Sequence, residues 1–403
     1  MGGEKGGERP PLHVLIIAPT PFFSDRGCHV RIFEEIRAIQ ARGCRVTVCT
    51  YHFGRDIEGV VTRRSLRIPW YDKHAAGPSL HKFYVDPLLA LTVLRTCQRD
   101  RPDVIHAHLH EGIAVGWPAA KVFRLPLIVD LQGSLTGELL QHGFFRAGSW
   151  LHRCFGLLER VLLRLPSAFI LSSPSAVRGF AEQVESLGVP VRTVIDGVDT
   201  SVFYPASPGE RLRAELSLPE DKRIVGFLGL LNEYQGVGVL LRAAQLVLQQ
   251  SDNVCFLIMG FPNVKHYRRM AADLNIVDRV MFTGRIPYER ARDYLSACDV
   301  GVSAKQPITE ANGKLLNYMA VGIPVVATNT AINRDVLRGD GLYANVDDPQ
   351  SLADELLKVL RDHELSKALG ERLRRRAVAE LSWEAGGEAI VDLYDSLIRE
   401  CMP

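Results

Sequence analysis

Residues 300–328 read VGVSAKQPITEANGKLLNYMAVGIPVVAT. A short β-branched run, VGVS, ends in a polar loop. A helix-forming stretch, KLLNYMAV, then runs to Gly322, and a second β-branched run, PVVA, begins at once. Glycine is the usual residue where a helix must stop in a left-handed conformation. Strand, helix and strand in about 30 residues is a βαβ unit. Its two strands are apolar throughout rather than alternating, the mark of a parallel sheet covered by helices on both faces.

The same alternation extends outward in both directions. In the second half, strands are predicted at 224–228, 254–259, 279–283, 300–303 and 324–327, with helices at 238–250 and 288–297. The first half predicts strands at 13–18, 45–50, 104–106, 127–130 and 168–172. Between the first two of these lies VRIFEEIRAIQARG, apolar at 30, 32, 33, 36 and 39, an amphipathic helix closed by Gly43. A polar stretch, TSVFYPASPGERLR, separates the two series. The expected organisation is a disordered N-terminus (1–11), a Rossmann-like α/β domain (12–200), a linker (201–222), a second Rossmann-like domain (223–383) and a closing helix (384–403). Ligands of such sheets bind outside the carboxyl ends of the strands, so the two domains are expected to turn their strand-to-helix loops toward a shared cleft.

Composition narrows the function. The 403 residues are 47% apolar and 23% charged with a formal charge of +2, which fits a soluble globular chain and excludes a typical nucleic-acid binder. Basic groups outnumber acidic ones in residues 1–200 and the reverse holds beyond. The eight cysteines form no CxxC pair and several sit in apolar runs, as expected of free thiols in a reducing cytoplasm. MGGEKGGERPP has no apolar core of a signal peptide, and no 18-residue apolar span occurs.

Several loops carry candidate chemistry. Gly27, in the first strand-to-helix loop, would let backbone amides approach a phosphate at the helix N-terminus, or simply form a turn. Gly229 and Gly236 bracket a similar loop in the second half. HAHLHEG sets His106, His108 and His110 at period two, one face of a strand. With no Cys or Asp nearby to complete a metal site, a histidine bonding a sugar hydroxyl is the better functional reading, beside a purely structural one. Glu310, Asn312, Gly313 and Lys314 follow a strand end. Lysine and amides neutralise phosphate while carboxylate and amide side chains bind hydroxyls, a set suited to a sugar nucleotide.

These residues resemble the retaining GT-B glycosyltransferases of family 4. The resemblance spans roughly residues 12–400 and rests on DVIHAHLHEG, VIDGVDTSVFYP, GLLNEYQGVGVLLRAA, VMFTGRIPYERARDYLSACDV, KLLNYMAVGIPVVAT and the terminal LSWEAGGEAIVDLYDSLI. It implies transfer of a sugar from a UDP- or GDP-linked donor to an acceptor hydroxyl with retention, without a metal. It also implies that Glu310 and His108 are catalytic. Gly27, Gly229, Gln235, Gly260, Arg285, Ile286, Asn312, Gly313, Lys314, Leu315 and Asn317 line the donor, with His110 and Gln132 on the acceptor side. The chain departs from the family at points that matter. Leu230 and Gln235 replace its diphosphate-binding Arg and Lys. Its paired glutamates fall near Thr309, beside Glu310, and at Asn317. Gln132 stands where a histidine is common. Lys314, with Lys305, is expected to supply the lost charge. A non-catalytic GT-B subunit that binds a partner or glycan is the alternative those losses keep open.

Residues 144–165, FFRAGSWLHRCFGLLERVLLRL, join aromatics and leucines to Arg146, Arg153, Arg160 and Arg164 around one acid, Glu159. Such a segment either lies in an anionic membrane interface or packs on the N-terminal sheet. The first reading predicts a peripheral protein of the cytoplasmic membrane face with a lipid-linked acceptor; the second leaves a sugar acceptor in solution.

Overall fold

The computed structural model describes residues 11–23, 27–70, 81–141, 143–172, 183–205, 210–216, 218–305 and 312–401. The expected disorder of residues 1–11 concerns residues that lie, all but the last, outside this set. The chain divides into two compact units. The first comprises Met1–Ser24, Cys28–Val194 and Glu384–Pro403; the second comprises Ile195–Trp383 with Asp25–Gly27.

In the first unit, β1 (His13–Ala18), α1 (Gly27–Ala41), β2 (Arg45–Thr50), β3 (Val61–Arg64), α2 (Lys82–Asp100), β4 (Val104–His108), α3 (Leu109–Phe123), β5 (Leu127–Leu131), α4 (Leu135–Gln141), α5 (Trp150–Leu162), β6 (Ala168–Leu171) and β7 (Val191–Thr193) follow one another. The second holds α6 (Glu210–Glu215), β8 (Arg223–Leu228), α7 (Val237–Leu248), β9 (Val254–Met259), α8 (Val264–Asp273), β10 (Val280–Gly284), α9 (Ala291–Ser296), β11 (Val300–Ser303), α10 (Lys314–Val321), β12 (Val325–Thr328), α11 (Ala331–Leu337), β13 (Leu342–Ala344), α12 (Pro349–Arg361) and α13 (His363–Glu380). The last helix, α14 (Trp383–Cys401), belongs from Glu384 onward to the first unit. The stretch expected as linker, 201–222, contains α6.

Both sheets are parallel. Their strand orders are β3-β2-β1-β4-β5-β6-β7 and β10-β9-β8-β11-β12-β13. Each therefore starts in its middle and reverses direction between its first and fourth strands, the doubly wound order whose ligands bind at that reversal. In the second unit the alternation of side chains splits the core in two. Val225, Phe227, Phe256 and Ile258 pack with Leu240 of α7 and Leu352 of α12 on one face. Ile224, Leu257 and Met259 pack with Leu315 of α10 and Leu373 of α13 on the other. Fully burying side chains of this size contributes about 1.5–3 kcal/mol each.

Three edge or near-edge strands, β3, β7 and β13, were not expected from the sequence. Each has only three or four residues, and VTRR and VRT are exposed or half-buried along their length. Helix α14 joins the first unit by specific contacts: Tyr394 Oη lies 2.6 Å from His106 Nδ1, Arg42 pairs with Glu388 at 3.1 Å, and Gly387 packs on Ala38 of α1. Among the described helices none is long and apolar enough to cross a membrane.

Candidate active site

The second unit's reversal point lies between β8 and β11, and three loops converge there backbone to backbone. A Cβ on Gly260, after β9, would fall 1.8 Å from Gly229 O; one on Gly236 would fall 2.0 Å from Ala304 O. Neither position admits a side chain without moving main chain. Gly229 and Gly236 also take positive φ, 153° and 71°, open to glycine at little cost. Beneath them Tyr318 Oη accepts from Leu228 N at 2.9 Å and donates to Val302 O at 3.2 Å, tying β8 to β11. Asn232 caps the short turn at 233–235 by accepting from Gln235 N at 2.9 Å, and Gly236 then opens α7. The first amides of α7, with the positive end of its dipole, thus face this corner.

Two lysines meet here. Lys314, the first residue of α10, donates from Nζ to Gln235 Oε1 at 2.7 Å and stands 4.2 Å from the Phe227 ring centroid. Adding a Cβ to Gly229 would bring it within 2.7 Å of that same Nζ. Lys305, 6% exposed, lies just past β11 with its Nζ 5.2 Å from the Tyr234 ring. Burial, and then the neighbouring Lys305 charge, hold Lys314 well below the usual lysine range. Among the described residues no carboxylate pairs with Lys314. Two lysines, glycine-rich main chain and a helix N-terminus form a cradle for a multiply charged anion.

The other donor-side candidates divide. Gly313 precedes α10 with open space around its Cα, and Asn317 is half-buried one turn into that helix. Arg285 is exposed and lies 5.1 Å over the Phe261 ring. Gly27 opens α1 in the chain. Three candidates are structural in their side chains. Asn312 is 5% exposed and spends its amide hydrogens on Ser303 Oγ (3.0 Å) and Asn333 Oδ1 (2.9 Å). Leu315 is fully buried, and its amide bonds Asn312 O at 3.0 Å. Ile286, 8% exposed, packs in the core with them. A helix start read from sequence does not show which of its side chains turn inward. Glu310 lies outside the described residues.

In the first unit, the expectation of three histidines on one strand face needs correction. His106 and His108 do share a face of β4, with rings stacked at 4.7 Å. The strand ends there, Leu109 turns with φ of 62°, and His110 enters α3. His108 is 0% exposed, so its ring has no access to an acceptor and the catalytic assignment does not suit it. The expectation that no Cys or Asp stands near enough to complete a site with these histidines is also overturned. Glu35 of α1 and Asp130 of β5, distant in sequence, join His106 and His108 in one buried group.

His110 Nε2 meets Glu159 Oε1 at 3.3 Å. Glu159 also accepts from Leu135 N and from Thr136 Oγ1, both at 2.7 Å, and so caps α4. Burial raises this carboxyl, but the His110 contact and the Thr136 and Ser134 hydroxyls bring it down to about 2. Gln132, just past β5, is half-buried, and its Nε2 has no hydrogen-bond partner among the described residues. Glu159 was legible only as the lone acid of its segment. Its helix, α5, is inverted: it buries Glu159 alone and exposes Trp150 (72%), Leu157 (59%) and Val161 (50%), with Arg153 and Arg160 exposed among them. The helix is shorter than the segment expected, because Ser149 caps it by accepting from His152 N.

Comparison with known proteins agrees with this architecture. Residues 209–376 match the family model "Glycosyl transferases group 1" and residues 26–196 match "Glycosyl transferase 4-like domain". The chain is 27% identical over 395 residues to a D-inositol 3-phosphate glycosyltransferase of Corynebacterium jeikeium, covering 92% of each. It is 24% identical over 394 residues to one of Thermobispora bispora, covering 93% of this chain and 90% of that one. Among solved structures, sucrose-phosphate synthase from Thermosynechococcus elongatus superposes with a TM-score of 0.81 at 21% identity, over 96% of this chain and all of that one. Anabaena HepE, solved with UDP and glucose, superposes with a TM-score of 0.76 at 18% identity over the same shares. The two sheets, their reversal points and these matches together place the chain in family 4 of the GT-B glycosyltransferases.

Proposed function

We propose that this protein moves a glycosyl group from a nucleoside-diphosphate sugar to an acceptor hydroxyl with retention of anomeric configuration. The observation that carries this is the lysine pair, buried Lys305 and half-buried Lys314, set against glycine backbone at the β8–β11 reversal. A departing nucleoside diphosphate gathers negative charge as the glycosidic bond breaks. Fixed ammonium groups and amides in a water-poor corner stabilise that charge without reorganising. In this reading Lys314 and Lys305 replace the cations absent at Leu230 and Gln235 and serve the diphosphate without a metal there. Glu310 holds the donor sugar, Asn317 bonds a ribose hydroxyl, and His110 and Gln132 serve the acceptor.

UDP is the favoured donor nucleotide, since the similar HepE was solved with UDP and glucose. The relatives named for D-inositol 3-phosphate support a phosphorylated polyol acceptor. The exposed apolar and basic surface of α5 supports a lipid-linked one and a place at the cytoplasmic membrane face. The test is a thermal-shift screen across UDP-, GDP- and ADP-sugars, followed by release of nucleoside diphosphate and NMR of the product anomer. Stabilisation by one nucleotide class with turnover and retained configuration supports the proposal. Binding without turnover toward any acceptor or water would make the chain a non-catalytic GT-B subunit.

A further inference from the structure

Four side chains of the first unit, none of them used at the donor site, converge where the adjacent strands β4 and β5 meet α1. Glu35, His106, His108 and Asp130 are each 0% exposed, and one ligand atom from each lies within 4.8 Å of the others. The two imidazoles turn the same atom inward: His106 Nε2 is 3.8 Å and His108 Nε2 is 3.7 Å from Glu35 Oε2. Neither contact is a hydrogen bond. His106 Nε2, both ring nitrogens of His108 and Asp130 Oδ1 have no hydrogen-bond partner among the described residues. Buried polar atoms are nearly always satisfied, so orphans at His106 Nε2, His108 Nε2 and Asp130 Oδ1 within one buried group call for an occupant.

The surroundings are arranged as an outer shell. Arg31, 4% exposed, holds Asp130 through Oδ2 at 2.5 Å and Glu35 through Oε1 at 2.9 Å. Each carboxylate is thereby held by one oxygen, and Glu35 turns its other oxygen to the two imidazoles. On the far side, Tyr394 Oη lies 2.6 Å from His106 Nδ1, so it can accept that N–H and leave Nε2 as a lone-pair donor. A partner on the second ring nitrogen is what fixes a metal-bound histidine. Two imidazoles and two carboxylates suit zinc, whose bonds of about 2.0–2.2 Å put tetrahedral donors about 3.4 Å apart. The histidine–glutamate spacings need only a few tenths of an ångström of closure to reach that. The widest pair needs a side-chain rotation.

We propose that Glu35, His106, His108 and Asp130 form a buried structural site for one divalent transition-metal ion, zinc by preference, bound through both Nε2 atoms, Glu35 Oε2 and Asp130 Oδ1. The site is closed, with four protein ligands and no open position, so it braces the reversal point of the first sheet and takes no part in transfer. It also ties α14 to that brace through Tyr394.

The full-length protein is purified without chelator and its metal measured by mass spectrometry. It is then stripped with dipicolinate and titrated with Co²⁺. The expected result is about one zinc per chain as purified, and one Co²⁺ per chain with visible d–d bands of tetrahedral intensity. Asp130→Asn, which keeps shape and one acceptor, should abolish or shift those bands while circular dichroism and UDP binding stay as in the wild type. Folded wild-type protein that takes up neither zinc nor Co²⁺ in excess overturns the proposal and leaves a proton-sharing polar cluster. Unchanged bands in Asp130→Asn overturn the four-ligand assignment. Loss of UDP binding in otherwise metal-loaded wild-type protein would count only against the donor-site reading.

Discussion

Replacing Lys314 by methionine separates a binding role from a folding role. Methionine keeps nearly the length of the stem that passes the Phe227 ring at 4.2 Å, while removing the ammonium that bonds Gln235. A charged hydrogen bond contributes about 1.5–3 kcal/mol, and each 1.4 kcal/mol is about tenfold in affinity. The variant should therefore bind a nucleoside diphosphate about tenfold to a hundredfold more weakly. Stability should move the other way or not at all. Burial and Lys305 depress the Lys314 pKa, so in the free protein a proton on this lysine costs folding energy at every pH below its unfolded pKa, and methionine relieves that cost. Calorimetric titration with UDP and GDP reads the first effect and a thermal melt the second. Introducing Arg at Leu230 and Lys at Gln235 in the variant should restore part of the affinity. Wild-type affinity in Lys314→Met, or a melting temperature that drops along with it, would refute the role given to this residue.

Gly260→Ala should lower stability by about 1–3 kcal/mol, because its new methyl meets Gly229 O at 1.8 Å; a melting curve like the wild type's would show the loops pack more loosely than described. Glu159 titrates near 2 instead of its usual 4.5, so its contribution of about 3 kcal/mol is complete above pH about 4.5 and is lost as pH falls through about 2. The stability gap between wild type and Glu159→Gln should accordingly shrink across that window, and a gap indifferent to pH counts against the His110–Glu159 pairing. Co-sedimentation with anionic vesicles should appear at low salt and weaken with salt or with Arg153 and Arg160 both changed to Glu, since each basic group adds about 1 kcal/mol at such a surface. Protein that stays in the supernatant at low salt removes the membrane role of α5. Glu310→Gln should slow turnover by about tenfold or more without altering the melt; near-normal turnover takes Glu310 out of the site.

What the sequence showed clearly was whatever repeats locally. The ten expected strands are the long or central ones, whose apolar runs are forced by burial on both faces, as in VCFLIM of β9. Edge strands such as VTRR have one neighbour and a wet face, so nothing in their composition demands a strand. At the donor corner, the lysine of KLLNYM was visible as a replacement for the cations absent at Leu230 and Gln235, whereas its bond to Gln235 was not. Nor was the burial of Asn312 and Leu315, because one loop residue more or less rotates α10 and exchanges its inner and outer faces. The acids around His106 and His108 were invisible for a different reason. They arrive from α1 and β5, and only the strand order brings those elements beside β4.

The return of α14 to the first unit sets an order of events during synthesis. Apart from Asp25–Gly27 the second unit is one stretch, Ile195–Trp383, closed at its ends where Val198 bonds Leu381 O at 2.9 Å and pairs with Ser382. Everything it needs has been translated once Trp383 is added. The first unit is started earlier yet finished later, since Tyr394, the partner of His106, is translated after the whole of the second unit. At about 5–20 residues per second, the nascent first unit waits about 10–40 s with the seat of α14 uncovered. The unit begun first is thus completed after the second, and synthesis halted near residue 383 leaves a finished second unit tethered to an unsealed first one.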